Sequence, residues 1–190
     1  GFSDFPKVIE QAIVKGKIRA GIEVSLYDNL GGTYSCSEDY LTLHFNRKEY
    51  PSPLFTERKR KMVVAHELFH AYQDKTKMKA KGLSEMEGQA NLFAIRYLLT
   101  KLGFNKSSPR ALTALKRFCL ETKNNHMHWF FEGLSDSQLA NLIKYAMSKD
   151  VSEWREGAII FGKIDRSINA LFGFCKALDD FFKRIKIDDP

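Results

Sequence analysis

The stretch from Thr56 to about Asp74 restricts this chain more than any other feature: it keeps helical periodicity and carries His66-Glu67-Leu68-Phe69-His70 in its middle. Histidines four apart on an α-helix lie one turn above each other, so both rings leave the same face toward a common point. Glu67 is turned by about 100° from His66, past that point rather than at it. Met62, Val63, Val64, Leu68 and Phe69 are the apolar candidates for burial on the same helix. Ionisable groups set among them are costly unless partnered, so a second element has to pack here and supply the partner.

An HExxH helix of this kind is suited to one Zn2+ per chain, with His66 and His70 as ligands. Zinc brings the pKa of a bound water down toward about 7, and Glu67 is placed to take its proton as general base and return it to a leaving amine. Catalytic zinc usually has three protein ligands and one open position, so a third ligand is expected from a neighbouring element. The next helix opens Ser84-Glu85-Met86-Glu87 and offers two carboxylates. Glu87 shares a face with Ala90, Asn91 and Ala94, small residues that would let the two helices approach closely. Glu85 stands nearer the helix start, where a carboxylate opposes the dipole or sits in solvent. Glu87 is the favoured ligand.

Around this pair the chain reads as α+β and mostly helical. Ser3 or Asp4 is a candidate cap for a first helix in which Val8, Ile9, Ala12 and Ile13 share one face, ending near Gly16. Alternation at Ile22, Val24 and Leu26 and again at Leu41-Thr42-Leu43, with turns at Asp28-Asn29 and Gly31-Gly32, predicts a small antiparallel sheet of two or three strands. Pro51 and Pro53 mark the loop that closes it. Ser84 is a candidate cap for the helix that Gly103 stops, Pro109 opens another, and Ser135 with Gln138 forms a capping-box pattern. From Ile164 to Ile185 apolar residues recur at spacings of four and three, a heptad rhythm widened by Phe172, Phe174 and Phe181. These elements suggest a catalytic domain over 1–105 and a helical C-terminal region over 106–190, which can belong to the same domain.

The order His66-Glu67-x-x-His70, then Glu87-x-x-Ala90-Asn91-x-Phe93-Ala94, then Leu98-Leu99, resembles the ImmA/IrrE family of metallo-endopeptidases. The resemblance is specific from about Val63 to Leu99 and loose over 1–55. It implies a zincin-like core, Glu87 as the third metal ligand, and an intracellular protease that cuts a helix-turn-helix transcriptional repressor or an antitoxin. Two departures stand out: Phe69 occupies a position where the family usually has Gly, and Thr100-Lys101-Leu102-Gly103 replaces the Met-Pro that often follows the paired leucines.

Composition adds bounds. A net charge of +7 raises the expectation of an acidic or nucleic-acid-associated partner, and Arg58-Lys59-Arg60-Lys61 is a candidate electrostatic funnel weighed against a plain solvated surface. Cys36, Cys119 and Cys175 are odd in number and far apart, which fits free thiols in a reducing cytosol. No stretch approaches the roughly 18 apolar residues of a membrane span, and the first residues lack the basic lead and apolar run of a secretory signal. A cytoplasmic location is expected; the C-terminal heptads leave a dimer open, with packing on the same chain, and so a monomer, favoured. Tyr40, Tyr72, His126 and His128 are candidate oxyanion donors, each read more readily as structural or surface. The alternative function is a non-proteolytic metal-binding regulator that engages protein or DNA through its basic surface and C-terminal helices.

Overall fold

A computed structural model describes residues 4–24, 32–45, 53–121, 134–150 and 152–162. Helix α1 (Phe5–Val14) is followed by strands β1 (Arg19–Val24), β2 (Gly32–Ser35) and β3 (Tyr40–Phe45). Helices α2 (Pro53–Thr76), α3 (Leu83–Lys101), α4 (Pro109–Glu121) and α5 (Asp136–Met147) come next, and α6 runs over 152–162. The described chain is therefore mostly helical with one small sheet, an α+β arrangement. The heptad segment, the charged side chains of Arg58 to Arg60, both His126 and His128, and the side chains of Cys119 and Cys175 lie outside the described residues.

The sheet is mixed, which corrects the antiparallel expectation. Its order is β1-β3-β2, with β1 parallel to β3 and β2 antiparallel to it. Alternation of residues reports which face a strand buries but not the direction of its neighbour, so the parallel pair was invisible in the sequence. The β2–β3 connection is tight: Ser35 pairs Tyr40 across a four-residue loop whose last residue, Asp39, takes a left-handed φ of 52°. Asp39 accepts hydrogen bonds from the Tyr34 hydroxyl and from Lys75 near the end of α2, which pins the hairpin to that helix.

Two expected caps do other work. Asp4 occupies the N-cap of α1 without capping it; its carboxylate accepts a hydrogen bond from the Tyr72 hydroxyl at 2.9 Å. Helix α3 starts one residue before Ser84, whose hydroxyl donates to the carbonyl of Gly162 at 3.0 Å. In both places a tertiary partner outcompetes the local cap. The Ser135–Gln138 capping box forms as read, and Gly103 ends α3 with a φ of +87°. Helix α2 starts at Pro53, in the stretch expected to be loop, because a proline's fixed φ suits a first helical turn.

One hydrophobic core joins these elements, running from Ile9 and Ala12 through Phe69, Ala90, Ile95 and Leu99 to Leu115, Ile143, Trp154 and Phe161. The described helices beyond residue 109 therefore pack on the same core as the first hundred residues. At its centre Phe69 is fully buried, 4.7 Å from the ring of Phe93, 5.5 Å from Trp154 and 6.1 Å from Phe5. Phe69 thus fills the junction of α1, α2, α3 and α6. Among the described residues, no helix is long and apolar enough to cross a membrane.

Candidate metal centre

Helices α2 and α3 pack side by side, and the small residues Ala90 and Ala94, 0% and 2% exposed, line the buried part of α3. This closeness brings Glu87 onto the histidine pair. His66 Nε2 and His70 Nε2 lie 3.0 Å apart; Glu87 Oε2 is 3.3 Å from the first and Oε1 is 3.4 Å from the second. Bonds of about 2.0–2.1 Å in a tetrahedral shell require donor atoms about 3.3–3.4 Å apart, so the spacing of this trio fits an ion of zinc's size. Glu67 is buried at 6% exposure, and a donor atom of its carboxylate lies within 4.8 Å of both histidines. His66, Glu67 and His70 form a group that could hold a metal ion. Two carboxylates thus stand by the imidazoles: Glu67 on the same helix, and Glu87 from α3, whose oxygens lie 3.3 and 3.4 Å from the two Nε2 atoms.

The electrostatics are those of two imidazoles facing one carboxylate. Burial would raise Glu87, but hydrogen bonds from His66 and His70 hold its carboxyl well below the ordinary carboxylate range. Burial would lower His70, but the hydrogen bond and charge of Glu87 carry its imidazole above the usual value.

Glu85 does not sit in solvent, as one reading of its position allowed. It is 4% exposed, and its carboxylate accepts from Arg155 Nε at 2.7 Å, from the Lys81 backbone N–H at 2.8 Å and from Gln89 Nε2 at 3.3 Å. Burial would raise Glu85, yet these donors hold it below the ordinary carboxylate value. With its oxygens so engaged, Glu85 is not the third member of the histidine cluster.

The sheet reaches the same place. Gly32, at the start of β2, approaches α2 so closely that a Cβ there would stand 2.8 Å from Val63 Cγ1 and 3.0 Å from Glu67 Cγ. In the order β1-β3-β2 this strand is at the edge of the sheet among the described residues, and its face at Gly32 packs beside Glu67. Of the oxyanion candidates, Tyr72 gives its hydroxyl to Asp4, and the Tyr40 hydroxyl lies against Gly21, where a Cβ would meet it at 2.0 Å. His126 and His128 lie outside the described residues.

Gln73, Gln89 and Arg155 were not picked out by reading the sequence. Gln73 accompanies His70 by standing three residues on, where helical spacing returns to the same face; its Oε1 is 2.8 Å from His70 Nδ1. Gln89 stands four residues after Glu85 for the same reason. Arg155 carried no signal, because its partner is 70 residues away. No protein-family model matches this chain, and no curated protein or solved structure matches it either.

Proposed function

We propose that this chain is a zinc-dependent endopeptidase with a zincin-like core, in which His66, His70 and Glu87 hold the metal and Glu67 is the general base. One observation carries the reading: two imidazole nitrogens and a carboxylate from a second helix converge at 3.0–3.4 Å, with a buried glutamate next to them. A divalent ion held there supplies Lewis acidity and lowers the pKa of a bound water toward about 7. Glu67 accepts the proton of the attacking water and passes it to the departing amine nitrogen, so the carboxylate is regenerated each turnover. In this reading an extended peptide pairs with β2, the edge strand of the described sheet, whose Gly32 end packs against Glu67.

The substrate class follows from the motif's resemblance to the ImmA/IrrE family: a cytoplasmic protein, with a helix-turn-helix repressor or an antitoxin first in line. The net charge of +7 supports an acidic or DNA-associated target.

The test joins metal content to cleavage. Wild type, Glu67→Gln and Glu87→Ala are loaded with zinc, stripped of loose ion, assayed by mass spectrometry, and incubated with a proteome-derived peptide library. The expected result is about one zinc in wild type and in Glu67→Gln, little in Glu87→Ala, and cleavage by wild type alone. Equal cleavage by Glu67→Gln, or a wild type that retains no zinc, overturns the reading.

A further inference from the structure

Four side chains form an unbroken file of hydrogen bonds leading away from His70: Gln73, Gln89, Glu85 and Arg155. The first three are 3%, 1% and 4% exposed, so water does not complete their bonding and each must satisfy the next.

The direction of every bond can be read from the outer end. The guanidinium of Arg155 only donates, and its Nε lies 2.7 Å from Glu85 Oε1. Glu85, paired with that cation and with the Lys81 N–H, presents acceptors. Gln89 therefore turns its amide nitrogen toward Glu85, at 3.3 Å; reversed, two oxygens would face each other. Its oxygen is left for Gln73, whose amide nitrogen donates to it at 2.7 Å and to the Met86 carbonyl at 3.1 Å. Both hydrogens of Gln73 are then committed, and its Oε1 faces His70 Nδ1 at 2.8 Å. Only a protonated Nδ1 satisfies that oxygen. A neutral ring so held keeps its lone pair on Nε2, the atom that faces His66 and Glu87.

We propose that Gln73 is a positioning residue which, held in one orientation by Gln89, Glu85 and Arg155, fixes His70 as the Nδ1–H tautomer and so presets its metal-binding nitrogen. The proposal rests on the metal-site reading above. It also gives α6 a part in the site, as the support for the outer end of the file. That support needs close contact of two backbones: a Cβ on Gly88 would stand 1.9 Å from the Ala158 carbonyl oxygen, and one on Gly162 would stand 1.9 Å from that of Ser84. Glycine at both points lets α6 lie against the start of α3, within reach of Glu85.

The test reads the tautomer in the metal-free chain, by long-range 1H–15N correlation on 15N-histidine protein at alkaline pH, and zinc affinity by competition with a chelator. Wild type should show His70 protonated on Nδ1. Gln73→Leu should mix the two tautomers and weaken zinc binding by about 10- to 100-fold, the range typical of lost outer-shell partners. Arg155→Met, altered at a half-exposed side chain, keeps the test valid should Gln73→Leu misfold; it should move the His70 signal the same way, and Arg155→Lys should restore it. Zinc held as tightly in Gln73→Leu, with the His70 tautomer unchanged, overturns the relay and leaves the metal site standing. A wild type that holds no zinc removes the metal site and this proposal together.

Discussion

The Nε2 atoms of His66 and His70 lie 3.0 Å apart, closer than two bare lone pairs tolerate, and each is within 3.4 Å of a Glu87 oxygen. Without an ion, a proton has to sit between these nitrogens. A divalent cation that took the place of that proton and bound the folded chain alone would stabilise it by mass action. At free zinc a hundredfold above Kd the gain is about 2.7 kcal/mol. For a chain of this size that is a rise in Tm of about 5–11 °C. A thermal melt with and without zinc checks it; the rise should vanish with chelator and be largely lost in Glu87→Ala. A full rise in Glu87→Ala would remove Glu87 from the ligand set.

The metal-free chain should carry a pH signature of the same contacts. Glu87 titrates lower in the folded state than in the unfolded, so its contribution is complete above the ordinary value of about 4.3 and disappears as pH falls through the folded value. His70 titrates higher when folded, so its contribution is complete below about 6.5 and disappears as pH rises through the folded value. Both are present together between about pH 4.3 and 6.5. The difference in Tm between wild type and Glu87→Gln should be widest there and shrink on the alkaline side. A difference that grows above neutrality would show that His70 is not the charged partner.

What the sequence revealed of this site depended on distance along the chain. His66, Glu67 and His70 share one helix, and the small-residue face around Glu87 marked the side of α3 that packs, so their convergence follows from helical periodicity. The parallel β1–β3 pair, the Asp4–Tyr72 bond and the Arg155–Glu85 pair join residues far apart, and nothing local distinguishes their members. Asp4 and Ser84 are instructive in the same way: each looks like a cap, and each is drawn off by a partner from another helix.

Phe69 should prove structural, although it lies inside the motif. It is fully buried among Phe5, Phe93 and Trp154, and truncation would leave a cavity that these rings cannot fill. Phe69→Ala should cost about 3–5 kcal/mol in urea unfolding. Phe69→Gly should cost about 1 kcal/mol more through lower helix propensity. The fraction that stays folded should retain zinc in near-wild-type stoichiometry. A cost below about 1 kcal/mol would show that the aromatic cluster is not packed in solution.

Gly88 offers the sharpest check on how α6 meets α3. Replacing a glycine with alanine inside a helix ordinarily stabilises, by about 0.4–1 kcal/mol, because it restricts the unfolded chain. Here the added Cβ would stand 1.9 Å from the Ala158 carbonyl oxygen, 2.8 Å from its carbon and 3.0 Å from the Gly162 nitrogen, all backbone atoms that cannot swing aside. Helix α6 has to retreat, taking Arg155 away from a glutamate that stays buried. Gly88→Ala should therefore destabilise by about 1–3 kcal/mol, the cost typical of overpacking, measured as a lower urea midpoint with unchanged slope. An alanine variant more stable than wild type would mean that the two helices do not touch at this point, and Arg155 would then have no route to Glu85.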